Sequence, residues 1–305
     1  MKADVKKRVI KMRFDNYHPV INLIYFTAAA CFAVVLSHPV FLMLSYVCAF
    51  LYSVRLKGKK AFVFGLALIP FMVLYTWIYS MYHHFGVTVL FQNFAGNDMT
   101  AEALIYGLVI SIKAASFIMI MSCVFEVFSS DKVVYLLGRI SPKTSLFVSV
   151  LMRSVPRIKE AAGRINRAQR GIGRGCLQKN AAVKGTGIIR FLSILITWIL
   201  DSFNEASVSM KNRGYSLKGR TAFSMYRFDN RDRTLVIYMA LSITAALMAV
   251  FAGETFAQYD PEMIFAKSTG ISYVFYSAYA LFLLMPAILQ TITQCRFKRL
   301  RAARP

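Results

Sequence analysis

Acidic side chains are scarce in this chain of 305 residues: 14 Asp and Glu stand against 37 Lys and Arg, for a net charge of +23. Six of the acids, Asp131, Glu160, Asp201, Glu205, Asp229 and Asp232, share one basic stretch, with no Asp-x-x-x-Asp or His-Glu pair among them. Acid–base enzymes need such positioned pairs, so an enzyme acting on lipid is disfavoured. Cysteine is sparse too. Cys31, Cys48, Cys123, Cys176 and Cys295 lie far apart without a Cys-x-x-Cys, and free thiols are expected. No Gly-x-x-x-x-Gly-Lys-Ser/Thr loop occurs, so the chain is not itself an ATPase. Of the four histidines, His83-His84 are adjacent but have no acids beside them, and no metal site or cofactor is expected. Internal repeats, low-complexity tracts and the repeated halves of a secondary carrier are missing. The start, Met1 to Asn16, is basic and polar, so no cleavable signal peptide is expected.

What the chain has is apolar length. Hydrophobic residues make up 57% and charged residues only 17%, against about a quarter charged in soluble domains. Six runs are candidate spans: Val20–Ser37, Val40–Val54, Ala61–Tyr82, Ala103–Phe128, Leu235–Ala252 and Gly270–Ile292. The second is short, and His38-Pro39 before it makes the first two a tight hairpin, with Arg55 and Lys57 reaching for the headgroups. The expected fold is an all-α polytopic membrane protein with added amphipathic helices.

Lys and Arg orient it. With the N-terminus inside, segments 1–19, 55–60, 129–234 and 293–305 face the cytoplasm and hold 35 of the 37 basic residues. The outer loops carry acids instead, among them Asp98, Glu102, Glu254, Asp260 and Glu262. That one-sidedness obeys the positive-inside rule and places both termini in the cytoplasm. It also accounts for the high charge without nucleic acid. Residues 1–128 and 235–305 then form the membrane parts, and 129–234 a basic cytoplasmic segment. Within it Ile188–Leu200 is apolar but only about thirteen residues long, and crossing would carry Lys211, Arg213 and their basic neighbours outside. It reads as a helix at the membrane surface.

Three helices are expected in this segment. Ser129-Ser130-Asp131 cap a short one, Lys132–Leu137, which Gly138 and Pro142 end. A second runs from Lys143 to Gln169 with a kink at Pro156, and a third from Gly187 to Asn212. The last two end alike, as Arg167-Ala168-Gln169-Arg170-Gly171 and Lys211-Asn212-Arg213-Gly214-Tyr215. Glycine past a terminus supplies the left-handed turn that stops a helix, and an arginine there projects a five-donor fork. Such ends serve either as plain caps within a basic face or as contacts for a partner; the residues alone leave both open.

At these residues the chain resembles the transmembrane T component of energy-coupling factor transporters, the EcfT/CbiQ-like family. The resemblance covers most of the chain and rests on His18-Pro19, on Ser129-Ser130-Asp131, on Arg153 with Pro156, on Ala168-Gln169-Arg170, and on Arg213-Gly214-Tyr215. The family commonly has two Ala-Arg-Gly motifs. Here the first reads Gly171-Ile172-Gly173, so Ile172 holds the usual arginine position, with Arg170 and Arg174 as candidate substitutes. In the second, Asn212 replaces alanine, and Asn22 stands where lysine is frequent. The resemblance implies a coupling subunit of an ATP-driven importer in a prokaryotic plasma membrane. Arg170, Gly171, Arg174, Arg213 and Gly214 would engage two ABC-type ATPases, and Arg153 and Pro156 would shape the kinked helix. A separate small membrane subunit would bind the substrate, a vitamin or transition-metal ion. An ordinary ABC permease is the nearest alternative, although one short coupling loop usually suffices there.

Overall fold

The computed structural model describes residues 14–83, 85–92, 98–173, 181–215, 217, 226–260, 263–266 and 269–302. Arg174 and Cys176 lie outside them. The protein is all-α: 83% of it is helical. Nine α-helices occur among the described residues: α1 (Pro19–Val35), α2 (Pro39–Lys57), α3 (Lys59–Tyr82), α4 (Ala101–Val127), α5 (Ser130–Ile140), α6 (Pro142–Gly171), α7 (Ala181–Asn212), α8 (Asn230–Phe251) and α9 (Gly270–Ala302). Two small antiparallel ribbons complete it, β1 (Val89–Gln92) with β2 (Asp98–Thr100), and β3 (Ala257–Gln258) with β4 (Ile264–Phe265). The chain forms two compact units, Met1–Ser129 with Tyr226–Pro305, and Ser130–Met225.

The first unit holds α1–α4, α8 and α9. In it α4 packs on α1, α2 and α3, and α9 on α2 and α8. Aromatic residues fill its interior: Phe14, Tyr25, Phe26, Phe41, Tyr279 and Phe282 are all buried. Their polar ends are paired, as buried groups in lipid must be. Tyr25 donates to the Leu283 carbonyl at 2.8 Å, and the Tyr279 and Ser45 hydroxyls lie 2.6 Å apart. Lys113, the basic residue inside the fourth expected span, donates to Ser37 Oγ at 2.8 Å. Small residues set the closest approach. A Cβ on Gly107 of α4 would stand 3.2 Å from the Thr76 carbonyl oxygen and from Tyr79 of α3.

The turns follow from proline and glycine. His38-Pro39 separates α1 from α2, since the residue before proline is held extended. Gly58, at φ 65°, alone separates α2 from α3. Among the described residues, six helices are long and apolar enough to cross a membrane: Pro39–Lys57, Lys59–Tyr82, Ala101–Val127, Gly185–Asn212, Asn230–Phe251 and Gly270–Cys295. This set differs from the sequence expectation at two helices. Pro19–Val35 is a shorter apolar helix of 17 residues, at the lower limit for a span. Gly185–Asn212, expected at the membrane surface, meets the length because the helix runs well beyond its apolar centre on both sides.

The second unit holds α5, α6 and α7. Here α5 runs through Gly138 to Ile140 rather than stopping at Leu137. The break comes at Ser141, extended at φ −151° and ψ 120° because Pro142 follows it. Ser145 of α6 donates to the Val134 carbonyl at 2.8 Å and ties α5 to α6. Helix α6 continues as one element through Pro156.

Candidate functional site: two capped helix ends

The end of α7 is a complete Schellman motif. Tyr215 N–H donates to the Met210 carbonyl at 3.2 Å and Gly214 N–H to the Lys211 carbonyl at 3.0 Å. Those are the six-to-one and five-to-two bonds of that cap. Gly214 stands at φ 76°, the left-handed conformation the motif requires. Arg213 is thereby the C-cap residue, exposed and fixed by its own N–H to the Ser209 carbonyl at 3.2 Å. A positive charge at this position has the sign that the negative end of the helix dipole favours.

The end of α6 shares the left-handed glycine and the five-to-two bond, two residues later than the sequence suggests. Gly171 is the last helical residue and does not turn left-handed. The left-handed glycine is Gly173, at φ 72°, whose N–H donates to the Arg170 carbonyl at 3.0 Å. Ile172 is the C-cap. The expected stop at Gly171 is therefore corrected to Gly173, because a helix tolerates an interior glycine at a cost of about 1 kcal/mol. Ile172-Gly173 and Arg213-Gly214 are equivalent positions, and Arg170 sits within the last turn of α6, exposed. Superimposing the two glycines, rather than counting from the arginines, is the signal that reveals this register.

Between α6 and α7 runs a groove of about 440 Å³. Arg153, Arg157 and Arg213 line it together with Trp198, Phe203 and Tyr215. None of its lining residues is acidic. The structure thus brings Arg153 and Arg213 to one groove and adds Arg157, which the motifs did not single out. Arg170 and Gly171 are not part of it. From Ile158, the last α6 residue of the groove, α6 continues for about 20 Å to Gly171 at 1.5 Å per residue. Pro156 lies just before this stretch and lacks the N–H that would bond the Met152 carbonyl. The two ends are thus separate points.

No described group of three or more His, Cys, Asp or Glu is placed to hold a metal ion. Cys31, Cys48, Cys123 and Cys295 are free thiols, as their spacing predicted. His83 stacks on Tyr79 with ring centroids 4.0 Å apart, an aromatic contact at the end of α3.

Long apolar helices around an aromatic interior, with a second helical unit presenting basic ends, define a multi-pass α-helical membrane protein. The sequence profile of the family described as cobalt transport protein, CbiQ, matches residues 15–223, more than half of the chain. The chain belongs to this family and is a membrane transport protein. No curated protein matches it.

Proposed function

We propose that this protein is the transmembrane coupling subunit of an ATP-driven importer of the energy-coupling factor type. The observation that carries the reading is the pair of exposed, glycine-capped ends on α6 and α7, at Ile172-Gly173 and Arg213-Gly214. The backbone of such a cap is held by hydrogen bonds, so a load on its side chain passes to a helix end with a fixed terminus. Each end engages one of two ABC-type ATPases, with Arg213 offering its fork to carboxylates and carbonyls of its partner. Arg153 and Arg157 line the same groove as Arg213 and keep it cationic.

In this account, 1–128 and 235–305 are the membrane parts and 129–234 the coupling segment. Helix α7 lies at the inner membrane surface, because crossing would move Lys211 and Arg213 outward against the distribution of 35 of 37 basic residues. The protein sits in the plasma membrane with both termini in the cytoplasm. A separate small membrane subunit binds the vitamin or transition-metal ion and changes orientation when closure of the ATPases moves the coupling helices. The test is purification of the tagged chain from membranes of cells that also express the candidate ATPases. Retention of chains bearing the Gly-x-x-x-x-Gly-Lys-Ser/Thr loop supports the reading, and their absence from a folded, membrane-inserted preparation refutes it.

A further inference from the structure

Two helix ends that share a left-handed glycine after the C-cap carry opposite side-chain chemistry. Each places a residue at the C-cap, a left-handed glycine directly after it, and a glycine N–H on the carbonyl three residues back, at 3.0 Å in both. On α7 the capping residue is Arg213; on α6 it is Ile172, 63% exposed. A single exposed isoleucine is ordinary on a protein surface. Ile172 stands out by its position, because like Arg213 it is the C-cap residue before a left-handed glycine, and it has exposed glycines on either side. Arg170 does not occupy that position. It lies two residues back in the last turn, about 200° around the axis from Ile172 at 100° per residue.

We propose that the two ends dock by different chemistry, Arg213 into a carboxylate- and carbonyl-lined groove and Ile172 into an apolar one, on two non-identical ATPase chains. The proposal rests on the coupling role given above. Its physical basis is mismatch. A groove built to satisfy a guanidinium leaves buried acceptors unpaired when it receives isoleucine, and an apolar groove cannot hold an arginine without desolvating it. Two copies of one chain present one groove twice, so one of the two ends would always be mismatched. Distinct chains remove the conflict and also fix which ATPase sits at which end.

The experiment is site-specific photocross-linking in the assembled complex, with a benzophenone amino acid at position 172 and, separately, at position 213. Sequencing of the cross-linked products then identifies the captured chains. The proposal expects two different ATPase polypeptides, one from each position. Capture of the same polypeptide at both positions overturns it. Capture of no ATPase at either position, in a preparation that is folded and inserted, overturns the coupling role itself and this proposal with it. Ile172→Asp and Ile172→Leu provide an independent arm. Aspartate should weaken ATPase retention about ten-fold or more, the scale of losing one buried aliphatic side chain, while leucine retains it. If Ile172→Asp binds as the parent does, while Arg170→Glu combined with Arg174→Glu releases the ATPase, a flanking arginine makes the contact and the apolar groove is refuted.

Discussion

Replacing three glycines one at a time separates the cap register seen in the structure from the one the sequence suggests. Gly173 and Gly214 stand at φ 72° and 76°, whereas Gly171 is helical. An alanine forced into the left-handed region costs roughly 1–2 kcal/mol. At Gly214 its Cβ would also stand 3.2 Å from Leu217 Cδ1, whereas at Gly173 it meets nothing within 4 Å. A helical glycine gains up to about 1 kcal/mol when replaced by alanine. Gly173→Ala and Gly214→Ala should therefore fray their helix ends, and Gly171→Ala should tighten the end of α6. Hydrogen exchange with mass spectrometry in detergent reads this directly. A cost of about 1.4 kcal/mol is a ten-fold rise in local opening if the cap is the only bond lost. The affected amides are Gly173 on α6, and Arg213, Gly214 and Tyr215 on α7. Faster exchange in Gly171→Ala than in Gly173→Ala would refute the register and the equivalence of Ile172 with Arg213.

Three other outcomes follow. In a cysteine-free background, Arg213→Cys should resist membrane-impermeant thiol reagents in intact cells and react in inverted vesicles; labelling from outside would make α7 a span. Gly107→Leu should destabilise the first unit by about 1–3 kcal/mol through overpacking against Thr76 and Tyr79, seen as a lower Tm in detergent, while Gly163→Leu, open within 4 Å, should not. Burial holds His38, in the turn between α1 and α2, below the usual imidazole value. The unfolded chain then binds the proton first, so His38 contributes stability that is full above about pH 6.5 and is lost as the pH falls through the lowered folded value. His38→Gln should flatten that part of the pH–Tm curve, and an unchanged slope would assign it elsewhere.

Membrane character was legible because it depends on composition and run length, which lipid imposes whatever the tertiary packing. The turn at His38-Pro39 was legible because proline restricts its predecessor locally, but the tight hairpin was not borne out, since α1 and α2 each pack on α4. Helix ends were harder. Gly138 looked like a stop and proved to be interior, since the decisive constraint was Pro142 acting on Ser141. Gly171 misled in the same way: which of two nearby glycines turns left-handed depends on where the last backbone bonds close, and both spacings satisfy the pattern. Helix α7 was legible from Gly187 to its end at Asn212, and only its first turns, from Ala181, lay outside the expectation. Arg157 joined Arg153 and Arg213 only when α7 was laid beside α6, a relation between residues distant in sequence.

The central claim, that the α7 end couples to an ATPase through Arg213, is tested most directly by titrating the purified ATPases onto the protein in lipid nanodiscs. Arg213→Glu is compared with the parent at matched ionic strength. Truncating or reversing one partner of a desolvated charge contact costs about 2–5 kcal/mol, so the account predicts a Kd at least about 30-fold weaker for Arg213→Glu, with hydrogen exchange across the rest of α7 unchanged. An equal Kd for the two proteins would contradict it and return Arg213 to the role of a helix cap on a basic membrane face.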